Sequence, residues 1–152
     1  MDYKLLLLIS ISIKLILTSG FIAYSISNKE YNEKNKKNMP FTLFLNNGIE
    51  KLSLKQILVG MVFGIVFGFV DNAGLWFGME ALDPYLPGGK LTKAGFGNTY
   101  SNTLGSSLGT FISVIMAKIT MIEKTPIWTD IIGTIIGCIL GIYIPRFLTG
   151  LD

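Results

Sequence analysis

Residues 57–73 read ILVGMVFGIVFGFVDNA: an uncharged run from Ile57 to Val70 with glycine at every fourth place, closed by an aspartate and an asparagine. A helix on the surface of a soluble domain carries a polar face opposite its apolar one, and this run has none. Extended to about Leu82, it is long enough to cross a hydrocarbon core of about 30 Å, which takes roughly 20 residues of α-helix. The stretch therefore predicts an all-α integral membrane protein. Composition agrees: charged residues make up 15% of the 152-residue chain, against about 25% in an average soluble domain. Half of the chain is hydrophobic and mean hydropathy is +0.53.

Three further stretches have the same character. Leu5 to Ile26 is the first along the chain, Asn98 to about Ala117 follows the quoted run, and Ile127 to about Leu148 is the last. The expected fold is a compact bundle of four transmembrane helices. It divides into an N-terminal helix or signal anchor (1–26), a basic Lys/Asn-rich linker (27–55) and a domain of three glycine-bearing helices (56–152). The first helix ends in the small-x-small pattern Ala23-Tyr24-Ser25, so it reads either as a retained span or as a cleaved signal. Lys14 lies at its midpoint, where a lysine costs about 3 kcal/mol on insertion scales. It must snorkel, face water or pair with an acid on a neighbouring helix.

The linker sets Lys29, Lys34, Lys36, Lys37, Lys51 and Lys55 against Glu30, Glu33 and Glu50. Its Asn28 to Asn38 part reads as mobile and its Phe41 to Lys51 part as a short helix on the membrane surface, order resuming at Met39-Pro40-Phe41. With Lys118 and Lys124, eight basic residues fall on the linker's side of the bilayer, against Lys4, Lys90, Lys93 and Arg146 on the other. The positive-inside rule places the linker in the cytoplasm or matrix. An arginine-rich amphipathic leader of the mitochondrial kind is not present in the sequence.

The chain has no histidine and one cysteine. That excludes Ser-His-Asp hydrolysis, histidine zinc sites and an internal disulfide. Cys138, inside the apolar run Ile131 to Ile144, reads as a packing residue. The excess charge of +3 sits mostly in the linker and is not interleaved with aromatics, so nucleic acid is not an expected partner. No nucleophile stands beside a base and there is no phosphate loop, so the chain does not read as an enzyme.

Small residues recur every four positions in the last three spans: Gly60, Gly64, Gly68; Ser101, Gly105, Gly109, Ser113; Gly133, Gly137, Gly141. Residues four apart share a helix face, so each span offers a groove for another backbone, the glycine-zipper form of packing in lipid. Against this background the polar residues stand out. Asp71 and Asn72 lie deep in the second span with Glu80 near its end, and the third opens Asn98-Thr99-Tyr100-Ser101-Asn102-Thr103. A carboxylate in hydrocarbon must be protonated, paired or bound to a cation.

Asp71, Asn72, Asn98, Ser101 and Asn102 all offer hard oxygen ligands of the kind sodium, calcium or magnesium prefer. Asn98, Ser101 and Asn102 have i, i+3, i+4 spacing and so line one face. Together with Asp71-Asn72 on a facing helix they form a candidate oxygen cage for Na+, H+ or Ca2+, with no other cofactor implied. The other reading is a hydrogen-bonded lock between helices, with Lys14 neutralising Asp71. Glu80, close to Asp83-Pro84, is a candidate ligand or an interfacial, solvated acid. Residues 83–89 form a turn-rich loop.

These residues also carry a resemblance. Phe67-Gly68-Phe69-Val70-Asp71-Asn72 resembles the G-F-x-D-N signature of the transmembrane protein 65 family. Gly97-Asn98-Thr99-Tyr100-Ser101-Asn102-Thr103-Leu104-Gly105 resembles its G-N-x-x-S-D-x-x-G signature. The likeness covers about Ile57 to Ile144. It implies a three-helix membrane protein of the kind known from the mitochondrial inner membrane and associated with sodium-dependent calcium extrusion, with Asp71, Asn72, Asn98 and Ser101 near a cation site. Asn102 stands where the family has an aspartate, which removes one negative charge. One carboxylate suits a monovalent ion or a proton better than a divalent ion, unless Glu80 or a second subunit adds another.

Two functions are therefore expected of such a chain. One is a small cation transporter, exchanger or ion-homeostasis regulator, with the lipid bilayer and an inorganic cation as partners and a homo-oligomer, a dimer foremost, enclosing the path. The alternative is a membrane scaffold, such as a viral membrane component, assembled through its glycine faces and drawn to anionic lipid by its linker.

Overall fold

A computed structural model describes residues 3–150, the side chains of Met79 and Glu80 excepted. The chain is 84% helix and has no strand among the described residues. Five α-helices follow one another: α1 (Tyr3–Asn35), α2 (Phe41–Leu45), α3 (Leu54–Leu82), α4 (Lys90–Thr120) and α5 (Ile127–Thr149). Four of them, all but α2, are long and apolar enough to cross a membrane. The chain divides into two units, one ending at Gly48 and one starting at Ile49. Of the four long helices, α3 to α5 lie in the second unit and α1 lies in the first with α2.

In the first unit α1 runs nine residues past Ile26. At 1.5 Å per residue it is about 50 Å long, more than a bilayer core requires. The Asn28 to Asn38 stretch expected to be mobile is therefore largely helical, because asparagine and lysine lower hydropathy without breaking a helix. The helix stops where Lys36 takes a positive φ of 57°. The chain then doubles back: Tyr24 donates its hydroxyl to the Met39 carbonyl at 2.7 Å, and the Met39 amide donates to Asn28 Oδ1 at 2.7 Å. Tyr24 also meets Phe41 and Phe44 of α2 edge-on, at 5.5 and 5.4 Å between ring centroids. Lys14 is exposed on α1.

In the second unit α3 is the central helix, with α4 and α5 packed along two of its faces. α3 ends before Asp83-Pro84, whose ring disfavours a helical residue ahead of it, and a short 3-10 turn, Asp83–Tyr85, starts the loop. Gly88 supplies the positive φ of 92° that this loop needs. Lys93 closes the loop, its Nζ donating to the Asp83 carbonyl at 2.7 Å and pairing with Asp83 Oδ2 at 3.4 Å. α4 begins at Lys90, eight residues before the apolar span expected from Asn98, since its first two turns carry charge. α5 starts behind Pro126 and ends at Gly150, where a left-handed cap (φ 63°) lets the amide reach back to the Arg146 carbonyl at 3.0 Å.

The glycine ladders set the registers. α5 runs parallel to α3, with Gly133, Gly137 and Gly141 lying on the carbonyls of Met61, Ile65 and Phe69 in turn. α3 answers with Gly60 against Thr129, Gly64 against Asp130 and Thr134, and Gly68 against Thr134 and Cys138. α4 runs antiparallel: a Cβ on Gly109 would sit 3.1 Å from the Phe63 carbonyl, and one on Gly105 2.9 Å from that of Phe67. Contacts this close favour Cα–H···O attraction between helix backbones, worth about 0.5–1 kcal/mol each. Thr129 and Ser101 are fully buried, and Pro126 and Pro145 nearly so, whereas most large apolar side chains face outward. That inversion suits helices solvated by lipid.

Candidate functional site at Asp71

Along α3 the face toward α4 advances by four residues, from Phe63 to Phe67 to Asp71, as α4 descends from Gly109 to Gly105 to Ser101. Phe63 and Phe67 stack with centroids 5.9 Å apart. The next rung changes chemistry, because the aromatic is replaced by a carboxylate and the glycine by a serine. Ser101 donates its hydroxyl to Asp71 Oδ1 at 2.7 Å, with the Asn98 carbonyl of its own helix at 3.2 Å as a second acceptor. Gly74 leaves room for this serine, since a Cβ there would come within 3.1 Å of Ser101 Cβ.

Asn72, about 100° further round α3, turns to the other neighbour. Its Nδ2 donates to the Cys138 carbonyl of α5 at 3.0 Å. Consecutive residues thus tie the central helix to both partners at one level. Asp71 lies eleven residues from the Leu82 end of α3, about 16 Å along the axis.

The five-oxygen cage expected from the sequence is brought together only in part. Asp71 and Ser101 meet. Asn72 spends its amide on α5, and Asn98 points its side chain outward, contributing its carbonyl to Ser101 alone. Asn102 is half-buried on α4. The Glu80 side chain lies outside the described residues, and Lys14 belongs to the first unit. Among the described residues no three acidic, cysteine or histidine side chains cluster as metal ligands.

No protein family, curated protein or solved structure matches the chain. The functional reading therefore rests on this chain's own residues.

Spacing could not reveal two contributors. One is the Cys138 carbonyl, a backbone group that any residue would supply. The other is the pair Thr134 and Asp130 beside Gly64, for which the only sequence signal was an acid in the first turn of an apolar span. The Asn72 bond predicts a modest effect: Asn72→Ala is expected to lower stability by about 0.6 kcal/mol, the average for hydrogen bonds between membrane helices, and by no more than about 1.7 kcal/mol. A thermal melt of the purified protein in detergent checks it.

Proposed function

We propose that this chain is a small multi-pass membrane protein that binds and moves a monovalent cation or proton at Asp71. The observation that carries the reading is the Asp71–Ser101 pair, a carboxylate within an apolar helix long enough to span, whose hydroxyl partner is fully buried. A single carboxylate beside neutral oxygens balances one positive charge, and a divalent ion held at low dielectric needs more. The motifs shared with the transmembrane protein 65 family support a cation site at these residues, and Asn102 in place of aspartate favours the lower ion charge. The protein acts without catalytic chemistry. A homodimer closes the side of the three-helix unit that faces lipid, because three helices of this size enclose no path alone.

The linker side, rich in lysine, is the cytoplasmic or matrix side. The scaffold reading draws its support from the same bonds: Asp71–Ser101 and Asn72–Cys138 are ties between helices whatever else they do.

The experiment is flux into proteoliposomes of the full chain under imposed sodium, proton and calcium gradients. Movement of sodium or protons, with none of calcium, is expected. Liposomes no leakier to any of the three than protein-free ones would refute transport and leave the scaffold.

A further inference from the structure

α4 and α5 both pack along α3 yet make no extended contact with each other. A cleft separates them beside Gly60 and Phe63 of α3. At its end near the start of α5 the cleft opens into a cavity of about 420 Å³ lined by Gly60, Phe63, Ser113, Ala117, Glu123 and Asp130. Helical phase continues the polar lining inward. Asn102 and Ser106 lie on the side of α4 that Ser113 presents to the cavity. On α5, Asp130, Thr134 and Cys138 follow one another by fours, and Thr134 and Cys138 lie over Gly64 and Gly68. The Cys138 sulfur packs against Gly68, at the level where Asn72 reaches the Cys138 carbonyl.

A primary amide such as that of Asn102 is costly to leave in hydrocarbon, by about 4–8 kcal/mol against cyclohexane. Cys138 is eleven residues into α5, about 17 Å below its start, so a thiol exposed only to lipid there is out of reach of a charged reagent. We infer that the α4–α5 cleft holds water from its Glu123–Asp130 mouth down to Cys138 and Asp71, forming a one-sided route by which cations reach the carboxylate. Two acids at the mouth raise the local cation concentration. The route deepens the cation reading and takes its purpose from it, but its existence can be tested without any ion moving.

The native protein has one cysteine, which makes it its own probe. Full-length protein in liposomes is treated from either side with a membrane-impermeant trimethylammonium methanethiosulfonate. The Cys138 thiolate attacks the sulfenyl sulfur, a mixed disulfide forms and methanesulfinate leaves, and the adduct is read by mass spectrometry. In a Cys138→Ser background, Lys124→Cys marks the mouth side, Thr134→Cys samples one turn nearer the mouth, and Ile139→Cys samples the lipid-facing side of α5.

Cys138 and Thr134→Cys are expected to react from the mouth side at least about tenfold faster than Ile139→Cys, since reaction needs a hydrated thiolate. Asp71→Asn is expected to slow the cationic reagent at Cys138 relative to a neutral one. Cys138 and Thr134→Cys both as slow as Ile139→Cys, or labelled equally from the two sides, would overturn the water route. That result would leave flux through Asp71 to be judged by its own assay, and labelling without flux would refute transport while keeping the route.

Discussion

Asp71→Asn is expected to abolish cation movement while leaving the three-helix unit folded. The substitution keeps the shape and keeps Oδ1, so Ser101 can still donate its hydroxyl across the 2.7 Å contact. What disappears is the charge. A neutral hydrogen bond replaces a charge-assisted one, a change of about 1 kcal/mol, so the melting temperature in detergent should fall by no more than about 4–8 °C. Transport depends on the charge directly, because Asp71 supplies the carboxylate of the pair with Ser101. Flux should drop to the leak of protein-free liposomes. Asp71→Leu is the contrasting variant: it leaves the buried Ser101 hydroxyl without its acceptor on α3 and should cost both flux and stability. If Asp71→Asn unfolded the unit as readily as Asp71→Leu, the carboxylate would be structural.

Gly137→Leu should have the largest effect on stability. The Gly137 position faces the Ile65 carbonyl, and even a Cβ there would come within 2.9 Å of the Gly64 carbonyl. These atoms are backbone and cannot swing aside, so a leucine must drive α5 away from α3. The displacement would open the neighbouring rungs at Gly133 and Gly141 and pull Cys138 from Asn72. Overpacking in a tight core costs about 1–3 kcal/mol and occasionally more, and here several rungs are lost together. Loss of the folded peak on size exclusion in detergent, or a melting temperature lower by 10 °C or more on the scale of about 4–8 °C per kcal/mol for a unit of this size, is expected. Gly95→Leu is the control, since nothing lies within 4 Å of a Cβ at Gly95. Equal damage from both would contradict the ladder account.

Hydropathy located the spans well where glycine and apolar residues run without interruption. α5 begins at Ile127 as expected and α3 ends at Leu82. It located α4 and α1 poorly at their polar ends. Lys90, Thr92 and Lys93 precede Asn98, and Asn28 to Asn35 follow Ile26, and both stretches are helical. A helix does not stop at the edge of the bilayer, and hydropathy reports the bilayer, not the hydrogen-bond ladder.

At the site, the meeting of Asp71 with Ser101 was legible because Ser101 continues the Gly105–Gly109 stripe. The separation of Asp71 from Asn72 follows from the 100° step between neighbours on a helix. Sequence adjacency suggested one cage, whereas geometry sends the two side chains to two helices. Asn98 was misplaced for a related reason. The buried stripe on α4 is Gly97, Ser101, Gly105 and Gly109, and a residue three before Ser101 falls at its edge, where the side chain stays exposed.

The central claim is that Asp71 binds an ion. The most direct measurement is the thermal stability of the purified chain in sodium, potassium and choline chloride at matched ionic strength and at two pH values, for wild type and Asp71→Asn. An ion bound only by the folded state stabilises it, by about 2.7 kcal/mol at a concentration one hundred times its Kd. Wild type is predicted to melt higher in one small cation, or at one pH, than in choline, and Asp71→Asn is predicted to show no such difference. An identical response in the two proteins, or no ion or pH response in wild type, would contradict the account.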